Sequence, residues 1–124
     1  WAPFRQPETR AIRDALTRMG SFAFALDFHS TFKDVFYVLP EPTPLVNDWI
    51  AAIAKRLPDY QYRVQPVTLD VPAGTIWMHR TFLIPTVAYE VGDETPRDTL
   101  KQIARTAADE LMRLLLAQPP RSTP

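Results

Sequence analysis

At 124 residues, with 46% hydrophobic side chains, the chain fits one domain with a modest core. Its 14 basic side chains balance 14 acidic ones with no large block of either sign, and no apolar run approaches the roughly 20 residues of a spanning helix, so a soluble protein is expected, with neither nucleic acid nor membrane as partner. The absence of cysteine removes disulfides, iron–sulfur sites and thiolate zinc cages and leaves the compartment open, so any metal must be held by carboxylates and the two histidines, His29 and His79.

The stretch "QPETRAIRDALTRMG" reads as a helix. Pro7 suits a first turn, Glu8 favours the positive end of the dipole, and Ile12, Leu16 and Met19 recur at helical spacing before Gly20 stops the pattern. "FAFALDFHS" follows as a buried strand, with Phe22, Phe24, Leu26 and Phe28 filling one face and Asp27 and His29 projecting together from the other, with Ala23 and Ala25 behind them. A second apolar run, Val35 to Leu39, pairs beside the first or forms an edge. "TPLVNDWIAAIAKRLP" gives a second helix, with Thr43 as N-cap, Pro44 in the first turn and one stripe through Val46, Trp49, Ile50, Ile53 and Leu57.

After Pro58 the prolines and polar insertions of "YQYRVQPVTLDVPAG" point to short strands and a loop. Residues 73–84 leave helix and strand both open. His79 and Arg80, in a polar interruption there, read as surface residues. Thr86 to Val91 is a β-rich run ended by Gly92. Thr95 and Pro96 then cap a long helix marked by Leu100, Ile103, Ala107, Leu111 and Leu114, with Asp93 and Glu94 offsetting its dipole. Residues 118–124 read as a disordered tail beyond a domain of residues 1–117. Helices alternating with buried strands predict a layered α/β/α domain with a mixed, mostly parallel sheet, and in such sheets reactive groups collect at the carboxyl ends of the strands, where His29 and Glu90 both fall. An aspartate beside a histidine on one strand face can orient the imidazole, as ligand histidines usually require. No glycine-rich phosphate loop and no serine-nucleophile elbow is present.

"PETRAIRDAL", "DFHS" and "YEVGDET", in that order, resemble the carboxyl-terminal part of the zinc metallocarboxypeptidase family, in particular a bacterial branch of it. In that family a helix opened by a Pro-Glu-Thr-like motif leads to a strand ending in His-Ser, whose histidine is the third zinc ligand. A later strand supplies a glutamate, in Phe/Tyr-Glu followed by aspartate, that acts as general base. His29 with Ser30, and Glu90 between Tyr89 and Asp93, match these elements. The resemblance therefore implies a hydrolase with one zinc ion. His29 is a ligand, Glu90 the general base, and Asp27 and Ser30 act beside them, Ser30 against substrate. A peptide losing its carboxyl-terminal amino acid is the substrate.

The family's upstream His-x-x-Glu motif, source of the other two ligands, does not occur in this sequence, and neither does its Asn-Arg pair for the substrate carboxylate. The chain starts at Trp1 rather than methionine. It is thus expected to be a carboxyl-terminal fragment, inactive by itself and a weak zinc binder. Two further readings stand beside this one: a zinc deacylase of the aspartoacylase or succinylglutamate desuccinylase type, acting on N-acyl amino acids, and a non-catalytic binding or structural relative.

Overall fold

The structure, a computed structural model, describes residues 4–70 and 73–119. Four helices and four strands follow the order α1 (Pro7–Met19), β1 (Ala25–Thr31), β2 (Val35–Val38), α2 (Pro44–Arg56), β3 (Arg63–Pro66), α3 (Gly74–Phe82), β4 (Thr86–Gly92) and α4 (Arg97–Ala117). Proline opens both α1 and α2, where its missing N–H costs no helical bond. Gly20 closes α1 at a φ of 83°, a left-handed conformation that glycine adopts without strain.

The strands form one sheet in the order β1-β4-β2-β3. β1 pairs with β4 and β2 with β3 in parallel, while β2 and β4 run antiparallel. This is the mixed, mostly parallel α/β sheet that the alternation of elements predicts. On one face α2 and α4 enclose the core. Phe36, Val38, Val87 and Tyr89 of the sheet meet Val46, Trp49, Ile50 and Ile53 of α2 and Ile103 and Ala107 of α4. Trp49, fully buried, donates its indole N–H to the Ala107 carbonyl at 2.8 Å and meets Phe24 and Phe36 edge-on. At the rim, Arg56 and Arg113 both bond Glu110, at 3.2 and 2.8 Å, and the Arg113 bond first, then Arg56, holds the Glu110 carboxyl below the usual carboxylate range. α3 covers the opposite face through Thr75 and Ile76, while α1 buries no residue at all.

Several expectations need correction. β1 has the composition of a buried strand yet lies at the edge of the sheet, which leaves Phe28 51% exposed. Its ladder begins at Ala25, so no pleat governs Phe22, which turns to meet Phe82 at the end of α3 edge-on at 4.9 Å instead of lying with Phe24 over Trp49. β2 does not lie beside β1, because β4 inserts between them. Residues 73–84, open in sequence, are chiefly α3, closed by Leu83 in the left-handed region at φ 53° and ψ 42°. Thr43 stands at the N-cap of α2 without a side-chain capping bond, and its buried hydroxyl has no partner among the described residues. Thr95 does not cap α4 either: Pro96 holds the N-cap, and Asp98, rather than Asp93 or Glu94, is the acidic residue of the first turn. The expectation for the tail falls mostly on residues 120–124, outside the described residues. Among the described residues no helix is long and apolar enough to cross a membrane.

Candidate functional site

The site is assembled by strand register. Parallel pairing sets His29 beside Glu90, with Asp27 beside Ala88 and Thr31 beside Gly92. Side chains alternate along a strand, so Asp27, His29 and Thr31 share one face of β1, and register partners share that face on β4, which puts Glu90 next to His29. Asp27 Oδ2 lies 3.0 Å from His29 Nε2, and the Thr31 hydroxyl donates to Glu90 Oε2 at 3.0 Å. Both pairs of contacts fix orientation more than they add stability. The Asp27 and His29 side chains are about half exposed, where an ion pair is worth roughly 1 kcal/mol at most.

Asp27, His29 and Glu90 line one cavity of about 480 Å³, closed by Tyr37 of β2, Gln65 of β3 and Gly74 at the start of α3. Gly74 stands close to Asp27 on that wall, and a Cβ there would meet Asp27 Oδ2 in ordinary contact at 4.0 Å. Nε2 of His29 is occupied by Asp27, so its Nδ1 is the ring nitrogen left for a cation or a substrate. One imidazole does not make a metal centre, and among the described residues no group of three histidine, aspartate or glutamate side chains could hold an ion.

Ser30 is not among the residues lining the cavity, since its place in the alternation puts its side chain on the face it shares with Phe28. His79 lies in the last turn of α3, half-buried rather than on the surface, with Nδ1 at 3.0 Å from the Ile84 carbonyl. Asp93 and Glu94 are exposed in the turn after β4, where the Asp93 amide donates to the Thr31 carbonyl at 2.6 Å. Thr31 was within reach of sequence reasoning, because it continues the same-face series of Asp27 and His29.

A second polar cluster, which nothing in the sequence marks, backs the site from the α2 and α4 side. The Tyr60 hydroxyl donates to Asp34 Oδ1 and shares a hydrogen bond with the Tyr89 hydroxyl, and Thr95 donates to Asp34 Oδ2 at 3.2 Å. Gly92 makes room for it: a Cβ there would stand 2.9 Å from Asp34 Oδ2. Burial, then the hydrogen bond to Asp34, pushes the Tyr60 hydroxyl far above its usual range, and burial does the same for Tyr89. A phenol whose pKa is raised by folding stabilises the fold fully below its unfolded value of about 10, and that stability drains away as pH rises toward the folded value. The melting temperature is therefore expected to hold up to about pH 10 and then fall, and Tyr60→Phe should flatten the fall while costing about 1–3 kcal/mol at neutral pH through the bond that Asp34 Oδ1 loses. A melting temperature that runs level through pH 12 in the parent chain would sink the assignment.

No protein-family model matches the chain, and no curated protein sequence does. The fold is similar to that of a solved metallo-carboxypeptidase from Burkholderia cenocepacia, with a TM-score of 0.63 and 19% identity over 90% of this chain. That match spans 34% of the Burkholderia chain, so the present chain corresponds to about a third of it. At this identity the likeness is one of fold: an α/β arrangement of the carboxypeptidase kind.

Proposed function

We propose that the chain is the carboxyl-terminal part of a metal-dependent carboxypeptidase. The observation that carries this reading is the register pairing of His29 with Glu90, beside a cavity that Asp27 also lines. The resemblance of "DFHS" and "YEVGDET" and the fold shared with the Burkholderia enzyme support it from two directions. His29 would hold the ion through Nδ1, with two further ligands supplied from outside this chain. When bound, zinc polarises the scissile carbonyl and makes water a better nucleophile near neutral pH.

The remaining chemistry falls to the chain's own residues. Glu90 takes a proton from the attacking water as the carbon–oxygen bond forms, and returns it to the amine nitrogen as the carbon–nitrogen bond breaks. Thr31, donating to Oε2, holds the carboxylate toward the cavity. Asp27 fixes the imidazole ring through Nε2. Ser30 contributes through its backbone, given the direction of its side chain. The substrate class is a peptide with a free carboxyl terminus.

The test is metal content in the longer protein that carries this segment. His29→Ala should abolish stoichiometric zinc binding, and Asp27→Asn should weaken affinity by about 10 to 100-fold. Full zinc occupancy in His29→Ala would end the proposal. Release of amino acids from N-acyl amino acids but not from peptides would move the substrate class to the deacylases.

A further inference from the structure

On the face that carries His29 and Glu90, the Thr31 hydroxyl is the one group among the described residues that bonds the Glu90 carboxylate. What holds the strand ends in place lies behind them. Asp34 stands immediately before β2, and its side chain accepts from Tyr60, in the segment between α2 and β3, and from Thr95, in the turn between β4 and α4. Its backbone carbonyl accepts from the Arg63 amide at 3.0 Å, where β3 begins. Through Tyr60 it also reaches Tyr89, the neighbour of Glu90 on β4, whose fully buried ring stacks on Phe36 at 4.1 Å. One carboxylate thus ties the exit of β1 to the exit of β4, close to the level where His29 faces Glu90.

The link from Asp34 to the front of the sheet is the turn it closes. The Thr31 hydroxyl owns one proton and has two acceptors in reach, Glu90 Oε2 at 3.0 Å and the Lys33 carbonyl at 3.2 Å. Lys33 is bonded covalently to Asp34, so an anchored Asp34 fixes where the competing carbonyl stands and how much of that proton Glu90 receives. The Asp93 amide, which donates to the Thr31 carbonyl at 2.6 Å, closes the same end of the strand pair. A carboxylate that takes a proton from an attacking water is sensitive to such placement, since a shift of about 1 Å costs on the order of 10²-fold in rate.

We propose that Asp34 is a positioning residue for Glu90: held behind the sheet by Tyr60 and Thr95, it fixes the turn of residues 31–34, and through that turn the Thr31 hydroxyl and the Glu90 carboxylate in front. The placement concerns this chain's own contacts, and its effect on turnover rests on the carboxypeptidase reading.

Two readouts in the longer protein that carries this segment keep these apart. The carbon-13 resonance of the Glu90 carboxyl reports placement without turnover. Asp34→Ala should move it toward its value in Thr31→Val, and Asp34→Asn, which keeps an acceptor for Tyr60, should move it less. Turnover reports the consequence: kcat for release of a carboxyl-terminal amino acid should fall by about 10 to 100-fold in Asp34→Ala, with KM held within about twofold and zinc content unchanged, and Asp34→Asn should recover most of the loss. Tyr60→Phe added to Asp34→Ala should cost little further turnover, because the two side chains act as one unit. Should Asp34→Ala fail to fold, Tyr60→Phe carries the same test with a smaller shift. A folded Asp34→Ala protein whose Glu90 resonance stays in place overturns the proposal whatever its activity, and so does one whose resonance moves while kcat holds. A moving resonance in a protein that cleaves no peptide supports the placement and ends the carboxypeptidase reading instead.

Discussion

Trp49→Ala is expected to lower stability by about 3–5 kcal/mol, a large part of the 5–15 kcal/mol that a typical domain possesses. Trp49 is fully buried, packs edge-on against Phe24 of the segment before β1 and Phe36 of β2, and bonds α4 through the Ala107 carbonyl. Its removal empties the point where α2, α4 and the sheet converge, and it forfeits the indole bond to the Ala107 carbonyl in addition. Trp49→Phe separates these effects: it refills most of the space and forfeits the hydrogen bond, so its loss should be nearer 1–3 kcal/mol. Chemical denaturation of both variants measures the difference. A Trp49→Ala midpoint close to wild type would mean that the core is centred elsewhere.

Glu90→Gln, made in the longer protein proposed above, is expected to lower turnover by about 10² to 10⁴-fold while leaving zinc bound. Glutamine keeps the shape and can still meet the Thr31 hydroxyl, yet it accepts no proton. Thr31→Val supplies the complementary measurement. It leaves the carboxylate but removes the bond to Oε2, so the loss should be smaller than for Glu90→Gln. Equal turnover in wild type and Glu90→Gln would remove Glu90 from the chemistry, whatever its place beside His29.

The helices that pack on the core were legible because burial leaves a period in the sequence. Trp49 and Ile53, and Ile103 and Ala107, recur at one-turn spacing, and the structure buries all four. Asp27 and His29 were legible as a pair for a similar reason, since two residues along a strand is one pleat. The neighbourhood of His29 and Glu90 was not written in any local pattern. It depends on a register between strands far apart in sequence, and the resemblance to a family, not periodicity, brought the two together. α3 carried no side-chain cap, began on glycine and ended on Leu83 instead of glycine, so the usual signs of a helix were missing at both ends. The Asp34, Tyr60 and Thr95 cluster joins a turn and two loops, where no repeating geometry constrains the sequence.

The strand order also sets a timetable. β4, next to last among the elements in sequence, lies between β1 and β2 and is the partner on which both depend for a place in one sheet. As the chain leaves the ribosome, β2 and β3 can find each other early, but β1 gains the neighbour that links it to them only when residues 86–92 emerge. Closing that long loop costs entropy before any contact rewards it, which slows folding relative to a domain of hairpins. The same interval leaves the β4-facing side of β1 open to other chains. β4, late in the sequence, thus decides when β1 is joined to the β2–β3 pair in one sheet.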